Sequence, residues 1–242
     1  LLHGGSIGFF KTNVREHVSF EIAVKAKRIG FYVWVPEALK SYVEEQIYAQ
    51  YPNVHITAVE DYAAVPTTAN TTMCAELKFS ADQELPIKTF PSFEVDPLAA
   101  ITATLAQFEE HEEAWIQVII RPADDSWHKA SEKYIAKIRD GHGPSLFKML
   151  VGPGENKSAA APRLAEYQTA RISGAETKAQ KLAYDVCMRI VYRGQTTQVA
   201  AKMRLQSIIA SYKQFNTTYL NGFTQTLTDP DIPSTRSVGV SL

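Results

Sequence analysis

The chain has 242 residues, with 25 basic and 26 acidic side chains and a formal charge of −1. Hydrophobic types make up 45 % and charged types 21 %, a globular balance that excludes a disordered, collagen-like or low-complexity chain. No run stays apolar for the roughly 18 residues a spanning helix needs, and the length allows one large or two small domains.

The opening Leu1-Leu2-His3-Gly4-Gly5 reads as the last turn of a helix meeting a glycine cap, or as a start left by tag removal. Val18 to Ala26 alternates as a strand, with Val18, Phe20, Ile22 and Val24 on one face. Lys27-Arg28 turns it, and the β-branched and aromatic run Ile29 to Val35 is a second strand ended by Pro36. Glu37 to Gln50 reads as a helix, with Leu39, Val43 and Ile47 in one stripe and Ile47 and Tyr51 as residues that pack it on a sheet. Val54, Ile56 and Ala58 alternate as a third strand, and residues 62–71 read as a linker.

Met73 to Phe79 is the next expected strand. Asp96 caps a helix with Pro97 at its first position, where a missing N–H costs nothing, and Leu98, Ile101, Leu105 and Phe108 mark its face. Glu109 to Glu113 reads as a solvated turn before the strand Ala114 to Arg121. Asp124, Asp125 and Ser126 offer caps for a helix to Arg139, and the Gly-, Pro- and Ala-rich stretch 141–161 reads as mobile. Pro162 begins a helix to about Lys181, and Ala183 to Tyr192 is a strand. Thr197 to Phe215 is a helix whose stripe is Ala201, Leu205, Ile208, Tyr212 and Phe215. Ser237 to Leu242 reads as a short last strand, and both ends of the chain read as cut.

This order makes the fold class α+β, with two ferredoxin-like (split βαβ) units. The first, residues 1–66, is truncated at its N-terminus. The second, residues 67–242, carries a helical insertion at about 126–182. One continuous larger sheet is the alternative.

Charge is unevenly spread. Residues 1–125 hold nine basic and eighteen acidic side chains, whereas 126–213 hold fifteen basic and six acidic. Lys129, Lys133 and Lys137 lie four apart on one helix, Arg189 and Arg193 share a strand face, and Lys202, Arg204 and Lys213 decorate the last helix. Such asymmetry points to an acidic partner: nucleic acid, another copy of the chain or lipid head groups. Docking of the two halves, or a solvated helix face, explains it equally simply.

The chemical motifs are poor. Gly152-Pro153-Gly154-Glu155-Asn156-Lys157-Ser158 departs from a phosphate loop, because Asn156 stands where glycine must precede the lysine. None of His3, His17, His55, His111, His128 and His142 sits at a metal spacing. Cys74 and Cys187 form no framework and point to a reducing compartment. Neither a catalytic residue nor a cofactor or metal ligand is expected in this segment. Arg28 to Val35 resembles the aromatic strand of an RNA-recognition fold, but without the partner motif it reads as a core or interface strand.

One family resemblance runs along the chain. It is carried by Phe31-Tyr32-Val33-Trp34-Val35-Pro36, Gln46-Ile47-Tyr48-Ala49-Gln50-Tyr51-Pro52 and Val59-Glu60-Asp61-Tyr62. Further on it is carried by Asp96-Pro97-Leu98, Trp115 to Pro122 with Trp127, and Phe215-Asn216-Thr217-Thr218-Tyr219-Leu220-Asn221-Gly222-Phe223. Their order and spacing are similar to the N-terminal region of large proteins of candidate-phyla-radiation bacteria (Patescibacteria), labelled type IV secretion or conjugative DNA-transfer ATPases. The resemblance implies a preceding membrane segment and a downstream motor domain. It also implies a place at the cytoplasmic face of the cell membrane, with further copies of the chain, DNA or secretion-channel proteins as partners. The family's ATP-binding residues would lie beyond this chain. The shared motifs themselves read as fold-specifying rather than catalytic.

Overall fold

In the computed structural model, residues 17–64, 68–140, 157–228 and 238–241 are described, with backbone alone at 157–164, 227–228 and 238–241. Strands β1 (Val18–Lys25) and β2 (Arg28–Trp34) form an antiparallel hairpin. Its two-residue turn places Ala26 and Lys27 at φ 47° and 59°, the left-handed geometry that matches strand twist. After a 3-10 turn at Glu37–Leu39 comes helix α1 (Lys40–Gln50). Then follow β3 (Thr71–Phe79), α2 (Pro97–Leu105), β4 (Glu112–Pro122), α3 (Ser126–Arg139) and α4 (Lys157–Ala179). The chain continues through β5 (Ala183–Gly194), α5 (Gln198–Ser211), β6 (Phe223–Thr228) and β7 (Val238–Ser241).

The described strands join one sheet in the order β2-β1-β4-β5-β3-β6, with β7 beside β5, and every pairing among them is antiparallel. One edge of β5 is shared: β3 takes its Met188–Gly194 end and β7 its Ala183–Val186 end. The fold is therefore α+β. The two expected units share this sheet, because β1 pairs with β4 from Val18↔Ile120 to Val24↔Ala114.

Helices α2 and α5 close one face. Ile101, Leu105 and Phe108 from the α2 side and Ala201, Leu205, Ile208 and Ile209 from α5 bury against Leu77, Ile116, Ile190 and Tyr192. The α5 stripe is the one its 4, 3, 4, 3 spacing predicts, and Thr197 Oγ1 caps it by accepting from Ala200 N. Asp96 Oδ1 caps α2 by accepting from Leu98 N at 2.9 Å. Leu98 itself is exposed, and Pro97 takes the buried place expected of it.

Several expectations are corrected. Val54, Ile56 and Ala58 form no strand: they pair with none of the described strands, and residues 51–61 are nearly all exposed. Ile47 and Tyr51 do not seat α1 in the core: α1 has no buried residue, Ile47 is half-buried, and Tyr51 is 67 % exposed. Glu112 and Glu113 start β4 rather than ending a solvated turn, because cations neutralise them there. Strand β6 is additional to the expected elements. The expected mobile stretch 141–161 lies outside the described residues up to 156, and α4 starts at Lys157, five residues before Pro162. The first five residues of the Gly152–Ser158 run and both chain ends lie outside as well.

Candidate functional site

The eight basic residues of the sequence reading fall on three surfaces. Lys129, Lys133 and Lys137 are exposed along α3 and enter no ion pair among the described residues. Arg189 and Arg193 lie on the sheet face away from α5, because Ile190 and Tyr192 alternate into the core. Lys202 and Lys213 are exposed on the α5 side. The structure therefore brings the α3 lysines together but separates them from the strand arginines and the α5 group.

Two of the eight are held internally. Arg193 donates to Glu113 Oε2 at 2.6 and 3.0 Å and stacks over Trp115. Arg204 donates to Glu112 Oε1 at 3.0 Å. Glu112 is buried and saturated: Tyr192 Oη also donates to Oε1, and Glu109 N donates to Oε2. Gly194 faces Glu112 in register, and Tyr192 reaches across it, so a Cβ at Gly194 would strike the ring. Burial and the Glu112 carboxylate push the Tyr192 hydroxyl well above its ordinary pKa.

Helices α3 and α4 pack on each other and sit against the loop that follows β3. Arg171 is buried, and its guanidinium donates to Asp82 Oδ2 (2.8 Å), Tyr134 Oη (2.6 Å) and Tyr167 Oη (2.5 Å). Burial pushes the Tyr134 hydroxyl up to about 12, against the pull of Arg171. On the other side of the loop, Asn221 is 1 % exposed and meets four backbone groups. Its Nδ2 donates to the carbonyls of Asp82 and Leu85, and its Oδ1 accepts from Ala81 N and Gly222 N. Asn216 Oδ1 accepts from Phe223 N at 2.8 Å. The Phe215–Phe223 motif is thus a fastener that ties the β3 exit to β6.

A family model for a domain of unknown function (DUF8128) matches residues 3–238, almost the whole chain. The chain belongs to the DUF8128 family. Among curated proteins none matches it. No helix among the described residues of this DUF8128 chain is long and apolar enough to cross a membrane, and no group of three potential metal ligands occurs among them.

The far face of the DUF8128 sheet carries a second hydrogen-bonded group that sequence reading missed. Glu21 accepts from Ser19 Oγ, Gln117 Nε2 and the Tyr62 hydroxyl. Tyr62 also packs on Tyr32 and edge-on to Trp115, so the segment after α1 is clasped to β1, β2 and β4. Burial and the adjacent Glu21 raise the Tyr62 hydroxyl far above its usual pKa. Beyond the clasp the register runs Glu21, Gln117, Arg189, Glu76 across four strands, and Glu76 Oε1 is buried without a partner among the described residues. The period-2 alternation was the only sequence signal for this row, and it does not reveal which strands adjoin.

Lys178 of α4 was also missed. It is 4 % exposed, and its Nζ donates to the carbonyls of Gln83 (2.5 Å) and Leu85 (3.4 Å). The ammonium lies over the rings of Phe79 and Trp127. Burial lowers its pKa from 10.5 to about 8, with Glu84 acting weakly in the other direction.

Proposed function

We propose that this DUF8128 chain is a non-catalytic N-terminal module of a membrane-associated type IV secretion or conjugative DNA-transfer motor. It positions or oligomerises the ATPase at the cytoplasmic face of the cell membrane and contacts DNA through its basic half. Membrane attachment comes from a segment outside this chain, and secretion-channel proteins are the other partners. The second unit, residues 67–242, is read as a ferredoxin-like split βαβ unit with α3 and α4 inserted. The order β4-β5-β3-β6, with α2 and α5 as the two crossovers, supports that reading.

The observation that carries the DNA reading is the α3 stripe. Lys129, Lys133 and Lys137 stand at four-residue spacing, exposed and uncommitted to any described carboxylate. Arg193 and Arg204 have spent their charge within the fold, so the stripe is the first surface to alter. Gel shifts with single- and double-stranded DNA at ~50 and ~200 mM salt test it, because each phosphate contact steepens the fall of affinity with salt. The expected result is binding at the lower salt that weakens steeply at the higher. K129A/K133A/K137A should reduce the duplex salt slope by up to about 3, near 0.9 for each lysine. No binding at ~50 mM salt removes the DNA contact.

A pure assembly module is the second reading, favoured by the β2 edge. Phe31 is 65 % exposed and Trp34 51 %, on a strand whose outer edge pairs with none of the described strands. Light scattering separates the two: oligomers with no DNA affinity favour assembly alone.

A further inference from the structure

Between the α4 helix and the two loops fastened by Asn221 lies a cavity of about 430 Å³. That is the size of a small-molecule site. Phe79, Pro86, Ile87 and Leu220 give it apolar walls. Lys88, Lys178 and Lys181 also line it, with the hydroxyls of Thr89, Ser92, Thr177 and Thr217. None of its lining residues is acidic.

Lys178 is the observation that asks for a ligand. A buried ammonium costs several kcal/mol unless an opposite charge meets it. Among the described residues Lys178 has two backbone carbonyls and two aromatic rings, but no ion pair. Arg171, about two helical turns away on the same helix, has Asp82 as its counter-charge. Glu84 acts on Lys178 from outside the lining and forms no ion pair with it, so the lining itself is positive, and the charge it lacks is the one an anion brings.

The donor set narrows the chemistry. Thr177 and Thr217 spend their hydroxyl protons on the carbonyls of Ser173 and Asn221, which leaves three ammonium groups and the hydroxyls of Thr89 and Ser92, five donor groups against the roughly four lone pairs of a carboxylate. A phosphate monoester offers three terminal oxygens and a charge of about −1.5 to −2 at neutral pH. The apolar walls suit the organic group that carries it. We propose that this cavity binds an organic phosphate monoester, its phosphate against Lys178, Lys88 and Lys181 and its apolar portion along Phe79, Ile87 and Leu220. Such a group exists both on soluble metabolites and on the lipid phosphatidic acid. The proposal is independent of the DNA reading, since it uses none of the α3 lysines.

Titration calorimetry with hexyl phosphate, inorganic phosphate and hexanoate tests it on the whole chain. Hexyl phosphate should bind saturably, at least tenfold more tightly than either of the other two. K178M should weaken it at least tenfold. K88Q/K181Q, which leaves the buried lysine and its loop contacts in place, should weaken it severalfold with an unchanged circular dichroism spectrum. K129A/K133A/K137A should bind it as the unaltered chain does, whatever that variant does to DNA. Sedimentation with phosphatidic acid vesicles but not phosphatidylcholine vesicles, lost in K88Q/K181Q, assigns the phosphate to a lipid. Hexyl phosphate binding without sedimentation assigns it to a soluble molecule. No hexyl phosphate binding at millimolar concentration overturns the proposal. So does equal affinity in both lysine variants, or hexanoate binding as tightly as hexyl phosphate.

Discussion

Helices α1 and α5, of 11 and 14 residues, each carry an apolar stripe, yet they have opposite fates. Helix α5 buries Ala201, Leu205, Ile208 and Ile209 against the sheet, whereas α1 buries no residue. The stripe Leu39, Val43, Ile47 repeats every four residues and so drifts around the helix, while the 4, 3, 4, 3 spacing of α5 keeps to one side. Amphipathic spacing alone therefore does not bury a helix. It needs a sheet face across from it, and α2 and α5 already occupy the core face.

The comparison can be broken by truncating one residue from each stripe. Leu205→Ala removes a side chain with no exposed area and should cost about 3 kcal/mol in denaturant unfolding. Ile47→Ala truncates a half-buried side chain and should cost about 1 kcal/mol or less. Equal costs would mean that α1 is seated as firmly as α5.

Helix α4 is a third case, seated by polar contacts, and its signature is pH dependence. Lys178 has a folded pKa of about 8 against 10.5 when solvated, so the unfolded chain holds the extra proton between those values. Stability should rise as pH increases from about 8 toward 10.5, and K178M should flatten the rise. Tyr134 and the other tyrosines with raised pKa values act oppositely. Their stabilisation is complete below the ordinary value of 10.0 and is lost only above it, leaving the lower part of the window to Lys178. A flat wild-type profile from pH 8 to 10 would contradict the burial of this ammonium.

A smaller effect sharpens the difference between α1 and the segment that follows it. Tyr62→Phe removes one of three donors to Glu21 and should cost about 1 kcal/mol. It should also speed proteolysis after α1 while leaving the α5 region untouched. An unchanged cleavage pattern would show that ring packing on Tyr32 and Trp115 holds the segment without the hydroxyl.

What could be read in the sequence was local. Asp96-Pro97 marks a helix start by itself, and the α5 stripe names its core residues by spacing. The alternation of Val54, Ile56 and Ala58 was equally local and misled, since a strand also needs a neighbour to receive its backbone hydrogen bonds. β6 hid because Thr224 and Thr226 make its exposed face look like a loop. Lys178 gave no signal, because Phe79, Gln83 and Leu85 lie more than ninety residues before it and only folding gathers them. The lysines of α3 were visible for the opposite reason: one helix sets their spacing unaided.

The turn at Ala26-Lys27 has a consequence for how the protein is assembled. Side-chain-bearing residues resist the left-handed region, each by roughly 1–2 kcal/mol, and neither asparagine nor glycine eases this bend. The hairpin therefore has little reason to form alone. Its pairing with β4 lies about ninety residues downstream, so this corner of the sheet is expected to arrive late in folding, templated by the rest rather than seeding it.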